Sequence, residues 1–231
     1  MAEQLPLDLP HQASLARSDF LIGGPNREAI AVVDAWPDWP ARTLVFAGPA
    51  GSGKSHLVEI WRSESNARVI AASNLESAAG ADLLASGAIA VEDLDQTRFD
   101  ENAMFHLLNR ANEMAAFVVL TTRVWPASLP LALPDLRSRL TAARPVEIGE
   151  PDDDLLRNVL AKLFADRQLD VKPAVVEFIL RRMERSLETA REIVNDLDRR
   201  ALAESRAVTR PLASAVLADL SVRRSPGDVL E

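Results

Sequence analysis

Residues 48–55 read Gly48-Pro49-Ala50-Gly51-Ser52-Gly53-Lys54-Ser55, the spacing G-x-x-x-x-G-K-[ST] of a loop that cradles phosphate. The glycines allow backbone angles that other residues avoid and leave no side chains in the way of a phosphate. Successive N–H groups can then turn inward, and the N-terminus of a following helix adds partial positive charge. In such a loop Lys54 reaches the β- and γ-phosphates, and the Ser55 hydroxyl completes a Mg²⁺ shell. A glycine-rich turn alone is an ordinary surface loop. The apolar strand pattern before this one and the amphipathic helix pattern after it set it apart. His56, just past Ser55, is read as packing on that helix at the rim of the nucleotide.

A second chemical signal is Ile89-Ala90-Val91-Glu92-Asp93, an apolar strand ending in two acids. A parallel strand beside the loop delivers its last residues to the same ligand-binding edge. One carboxylate there can hold Mg²⁺ and another can polarise water, so Ser55, Glu92 and Asp93 form the expected metal group. The usual order is Asp first. Glu92 comes first here, and its extra methylene displaces the carboxylate by about a bond length, which weakens the case for fast hydrolysis. Phe117–Thr122 is another buried strand, ending in hydroxyls that can sense a phosphate or cap the strand. Beyond it, Leu136-Arg137-Ser138-Arg139-Leu140 places two arginines on a short helical piece between the fourth and fifth strands.

These groups need a scaffold at α/β spacing. Apolar runs at Thr43–Ala47, Arg68–Ala72, Ala88–Val91, Phe117–Thr121 and Pro145–Ile148 alternate with helical patterns such as His56–Ser63 and Asn102–Ala115. That alternation predicts a parallel five-stranded sheet covered on both faces. After Gly149-Glu150-Pro151 the pattern turns wholly helical, over Asp152–Arg167, Lys172–Arg185, Leu187–Ser205 and Arg210–Leu220, with Asp152 and Asp153 suited to a helix cap and first turn. The expected organisation is an arm over 1–18, an α/β domain over 19–150, a small helical domain over 151–221 and a tail over 222–231. Trp36 and Trp39 are read as packing the approach to the first strand, and Arg181, Arg182 and Arg185 as a solvated helical face.

Composition narrows the function. The 231 residues hold no Cys and three His, which argues against disulfides and thiolate or His-cluster metal sites. A net charge of −8 argues against a dedicated nucleic-acid binder and leaves room for a weak local DNA contact. The N-terminus lacks a signal-peptide pattern, and no run approaches the ~20 apolar residues of a membrane helix. The expectation is a cytoplasmic protein with no membrane partner.

Taken together these residues resemble the AAA+ family, and within it the DnaA-related group, over Ser18 to about Leu220. Ser18-Asp19-Phe20-Leu21-Ile22-Gly23-Gly24-Pro25-Asn26 is similar to the segment that opens the DnaA ATPase domain and packs on adenine. Leu120-Thr121-Thr122-Arg123-Val124-Trp125-Pro126 resembles the sensor 1 stretch, and Leu136–Leu140 resembles the arginine-finger box, which puts the finger on Arg139. Ser186-Leu187-Glu188-Thr189-Ala190-Arg191 lies where sensor 2 begins, with Glu188 at the usual arginine position and Arg191 one turn on. The group's acidic sensor 1 residue is Arg123 here. The resemblance implies an AAA+ P-loop NTPase fold with a helical lid, binding ADP or ATP with Mg²⁺ through Phe20, Leu21, Ile22, Pro49, Ala50, Gly51, Ser52, Gly53, Lys54, Ser55, His56 and Arg191.

Gln4-Leu5-Pro6-Leu7-Asp8-Leu9 is similar to the Q-L-x-L-x-L peptide by which bacterial proteins dock on the DNA polymerase sliding clamp. Gln4, Leu5, Leu7 and Leu9 would make that contact, with leucines in an apolar pocket. The sequence after the lid holds no helix-turn-helix DNA-binding unit of the kind DnaA carries. The resemblance therefore implies a negative regulator of replication initiation that binds nucleotide and clamp and stimulates hydrolysis of DnaA-bound ATP, with Arg139 acting in trans and weak or no ATPase of its own. Self-association into a homodimer is compatible with the family. A helicase loader of the DnaC type shares the core and is the alternative. A small-molecule P-loop kinase is a third reading, which the separate helical C-terminal unit argues against.

Overall fold

The computed structural model describes residues 15–76, 82–96, 98–204 and 206–224. They divide into two compact units, one from Leu15 to Glu150 and one from Pro151 onward.

In the first unit five strands, β1 (Thr43–Ala47), β2 (Arg68–Ala71), β3 (Ala88–Glu92), β4 (Phe117–Thr122) and β5 (Arg144–Glu147), form one sheet ordered β2-β3-β4-β1-β5. All four pairings are parallel, as the alternation of short apolar runs and helices requires. The expected strands fall within a residue of those observed.

Period-two alternation sorts the side chains onto two faces. Val45, Ile89, Val91, Val118 and Leu120 meet Met104, Leu107 and Leu108 of α3 (Glu101–Glu113) and Leu136 and Leu140 of α4 (Pro134–Ala142). Leu44, Phe46, Ala88, Ala90, Val119 and Val146 meet Ile30 and Val33 of α1 (Arg27–Asp34) and Leu57, Ile60 and Trp61 of α2 (Lys54–Ser65). Trp39 stacks on Trp61 at 5.4 Å and donates its indole N–H to the Val32 carbonyl at 2.6 Å. It is core packing at the approach to β1.

The core unit begins earlier than the expected boundary at residue 19. Arg17 makes a two-pronged contact with Asp34 of α1, at 2.8 and 2.7 Å, and the Ala16 carbonyl lies 3.2 Å from His56 Nε2. Residues 15–18 are therefore held against this unit. The remainder of the expected arm, including the peptide Gln4–Leu9, lies outside the described residues.

The second unit holds α5 (Asp153–Asp166), α6 (Pro173–Leu180), α7 (Leu187–Ala203) and α8 (Arg210–Arg224). The Asp152 side chain caps α5 by accepting from Leu155 N at 2.8 Å, and Ser186 caps α7 by accepting from Thr189 N at 3.2 Å. α6 is shorter than Lys172–Arg185, because it ends at Leu180 and a turn follows it. The backbone must extend at Ser186, φ −145°, before α7 can begin. In the other direction α8 continues past the expected Leu220 into residues assigned to the tail. Arg223 pairs with Asp196 at 3.2 Å, and Arg224 reaches Glu184, Glu192 and the Thr189 hydroxyl. Among the described residues no helix is long and apolar enough to cross a membrane.

Candidate functional site

Because the strands are parallel, β1, β3 and β4 all end at one edge of the sheet. Thr122 is level with Ala47, and Val91 with Leu120. The loop 48–53 leaves β1 at that edge and feeds directly into α2 at Lys54. Gly51 and Gly53 adopt φ of +66° and +104°, the left-handed region where glycine carries no Cβ penalty. Gly48 is required for another reason: a Cβ there would lie 2.2 Å from the Ile148 carbonyl oxygen. The sheet thus fixes both ends of the loop.

Lys54 is buried and its ammonium donates to the carbonyls of Gly48 at 2.7 Å and Pro49 at 2.8 Å. Burial lowers its pKa and the nearby Arg123 charge lowers it further, against the opposing pull of Asp95, Asp93 and Glu92. Ser52 Oγ is buried with no hydrogen-bond partner. Ser55 is exposed and stands near the Glu92 carboxylate, whose pKa is raised chiefly by burial, with Asp93 adding to the rise and Ser55 and Lys54 opposing it. Oε1 of Glu92 is a buried polar atom without a partner. Asp93 is exposed at φ +64°, and its N–H donates to Thr121 Oγ1 at 3.0 Å. The structure therefore brings Ser55, Glu92 and Lys54 together, with Asp93 beside them.

The segment 20–26 borders the loop. Phe20 is buried and meets the His56 ring edge-on at 5.1 Å. Leu21 is half-buried and Ile22 is exposed. Asn26 holds the turn, accepting from Gly23 N at 2.8 Å and donating to the Leu21 carbonyl at 3.0 Å. The Pro25 carbonyl accepts from Gly149 N at 2.9 Å, which ties the segment to the exit of β5.

Sequence reasoning did not single out Asn26 or Asp95. Asp95 Oδ1 accepts from Arg123 N at 2.7 Å, linking the loop after β3 to the loop after β4. The only trace of it in the sequence is a third acid two residues beyond Asp93.

Arg139 lies on α4 between the fully buried Leu136 and Leu140 and is itself exposed. Its guanidinium lies over the Phe105 ring of α3, 5.3 Å from the centroid, within the range of a cation–π contact. Arg137, by contrast, is turned back onto the Leu131 carbonyl. In the helical unit Arg191 is half-buried in the first turns of α7, where burial lowers its pKa and Glu188 opposes that shift.

A parallel sheet in the order β2-β3-β4-β1-β5, with the phosphate loop after β1 and a helical unit downstream, is the architecture of a AAA+ P-loop protein. Residues 152–217 match the family model of the Hda lid domain. Domain III of the replication initiation protein DnaA from Thermotoga maritima superposes with a TM-score of 0.73 at 17% identity, covering 91% of this chain and 98% of that one. AMPPCP-bound DnaA from Aquifex aeolicus gives 0.62 at 15% identity over 86% and 78% of the two chains. The RuvB branch-migration motor of Thermotoga maritima gives 0.67 at 16% identity over 86% and 70%. An uncharacterised protein of Haemophilus influenzae is 24% identical, covering 94% of this chain and 99% of its own length. The helical unit thus matches the Hda lid family model, and the chain as a whole shares the fold of DnaA domain III.

Proposed function

We propose that this chain is a negative regulator of replication initiation that binds an adenine nucleotide and supplies Arg139 in trans to ATP held by DnaA. The nucleotide sits on the loop 49–55. Phe20, Leu21, Ile22 and His56 border its base, and Lys54 pairs with its phosphates. AMPPCP bound to a DnaA of the same fold supports that reading. Ser55 and Glu92 are the donors a Mg²⁺ would take, with Asp93 behind them, and the orphaned Oε1 of Glu92 fits a cation there. Glu92 stands where Asp is the usual first acid, and its longer side chain favours a nucleotide that fixes shape over rapid turnover by this chain. The peptide Gln4, Leu5, Leu7 and Leu9 docks on the sliding clamp.

The observation that carries the proposal is the disposition of Arg139. It stands exposed on α4 while its neighbours Leu136 and Leu140 anchor the helix in the core. A guanidinium presented that way can enter another protein's nucleotide site and stabilise transition-state charge, worth roughly 10³–10⁵ in rate. The test is hydrolysis of DnaA-bound ATP with sliding clamp loaded on DNA. The wild-type chain accelerates it, and Arg139→Ala does not, while that variant retains nucleotide and clamp binding. Full acceleration by Arg139→Ala assigns the finger elsewhere.

A further inference from the structure

The helix that carries Arg139 has no cap of its own. Leu133, at its N-cap, has no side chain that can accept a bond, and Pro134 at the first helical position has no N–H. The cap comes from α3 instead. The Glu101 carboxylate accepts from Ala132 N at 2.9 Å through Oε1 and from Leu133 N at 2.6 Å through Oε2. Both its oxygens thus hold consecutive backbone donors of the segment that enters α4. A carboxylate placed there makes two charge-assisted bonds and faces the positive end of the helix. The Arg137 guanidinium, turned back onto the Leu131 carbonyl, ties the preceding residue to the helix itself.

Glu101 is in turn fixed. It is the first residue of α3, and Asp100 caps that helix by accepting from Asn102 N at 2.8 Å and Ala103 N at 3.0 Å. Phe105, whose ring lies beneath the Arg139 guanidinium, follows four residues later and so shares the Glu101 face of α3. That face therefore grips α4 at its start and runs under Arg139 further along. Arg139 is six residues beyond Leu133, about 9 Å along the helix axis. The buried Leu136 and Leu140 hold α4 in the core, but apolar contacts are non-directional and leave its tilt to the polar contacts at its end. A change of tilt there reaches the guanidinium as a displacement, and about 1 Å of misplacement can cost about 10²-fold in rate.

We propose that Glu101 is a positioning residue for Arg139: by holding the start of α4 it sets the angle at which the helix presents the guanidinium to the nucleotide of the partner protein. The inference rests on the reading of Arg139 as the group that acts in trans, and adds the residue that aims it. Glu101 touches neither nucleotide nor partner. Its loss leaves the charge of Arg139 in place and alters where that charge arrives, so it acts on the rate within the complex and not on the formation of the complex.

The experiment measures hydrolysis of DnaA-bound ATP, with clamp loaded on DNA, against the concentration of this chain. Wild type, Glu101→Ala, Glu101→Gln and Arg139→Ala are compared. Binding of labelled ADP to each chain and amide hydrogen exchange over residues 131–139 are read beside it. Glu101→Ala is expected to lower the maximal rate about tenfold or more, while its half-saturating concentration and its ADP affinity stay within about twofold of wild type. Amides 131–139 exchange faster in that variant and those of the sheet do not. Glu101→Gln keeps the shape and one acceptor oxygen but loses the charge, and falls between. A wild-type maximal rate, or unchanged exchange over 131–139, in Glu101→Ala overturns the inference and leaves the role of Arg139 standing. So does a raised half-saturating concentration at full maximal rate, which makes Glu101 a docking contact, or a parallel loss of ADP affinity, which makes it general support for the fold. A wild-type chain that does not accelerate hydrolysis, or full acceleration by Arg139→Ala, overturns the underlying reading as well. If Glu101→Ala melts too early to assay, Glu101→Gln decides: a wild-type maximal rate there overturns the inference.

Discussion

Lys54 and Glu92 are both charged groups held in partial burial, and each carries a prediction at the scale of one residue. A phosphate must draw the Lys54 ammonium off the Gly48 and Pro49 carbonyls. Saturating ADP, at about a hundred times its Kd, is expected to stabilise the wild-type chain by about 2.7 kcal/mol, roughly 5–10 °C in melting temperature. Lys54→Ala should lose most of that shift, and a full shift in the variant would exclude Lys54 from the phosphate site. Burial raises the Glu92 pKa, so between the ordinary Glu value and the raised one the folded chain binds more protons than the unfolded chain. Stability then falls as pH rises through that window. Glu92→Gln has no proton to lose. Its melting temperature without nucleotide is expected to exceed wild type at neutral pH and to converge with it toward pH 4. A difference independent of pH would exclude Glu92 as the titrating group. The phosphate loop was legible in the sequence because its chemistry is written in contiguous residues. Asn26 and Asp95 were not, because their partners are backbone groups brought near by turns and by the pairing of β3 with β4.

Elements position these residues, and here the sequence was legible to different degrees. The three central strands β1, β3 and β4 were readable because each is a short apolar run buried along nearly its whole length, while the edge strands β2 and β5 are partly exposed and were read from their place in the α/β alternation. α1 was not singled out, because its eight residues lie between two irregular stretches and its apolar stripe is only Ala29, Ile30 and Val33. The end of α6 was missed because Arg181-Arg182-Met183-Glu184-Arg185 carries no glycine or proline to mark the turn that follows Leu180. The β1–α2 junction gives a sharp prediction. Gly48 is not at positive φ, so Gly48→Ala tests space alone. The added methyl would meet the Ile148 carbonyl at 2.2 Å, a backbone atom that cannot swing aside. The variant is expected to lose about 1–3 kcal/mol in chemical denaturation and to bind nucleotide weakly. Wild-type stability would show that β5 can give way. Asn26→Ala removes both side-chain bonds that shape the segment beside Phe20. Two part-buried backbone groups lose partners, and the variant is expected to lose up to about 1–3 kcal/mol in chemical denaturation, less where water reaches them.

At the scale of the whole molecule, the proposed activity couples two different physical tasks. One is catalytic: Arg139, exposed over Phe105, lowers a barrier in another protein's site. The other is entropic: the peptide Gln4–Leu9, outside the described residues, keeps the chain on the clamp and so raises its concentration near clamp-associated DnaA. A tether acts through effective concentration and adds no contact to the transition state. Loss of the tether can therefore be compensated by mass action, whereas loss of the guanidinium cannot. Leu7→Ala and Gln4→Ala should abolish clamp pull-down and cut DnaA–ATP hydrolysis at low concentrations of this chain. Raising its concentration by about 10²-fold should restore most of the rate. Arg139→Ala should stay inactive across the same range, since every encounter lacks the charge that matters. If excess Leu7→Ala protein never recovers activity, the peptide does more than tether, and the clamp itself must shape the competent complex. If excess Arg139→Ala protein recovers it, the rate enhancement comes from binding alone, and the arginine must be sought on another face of the molecule.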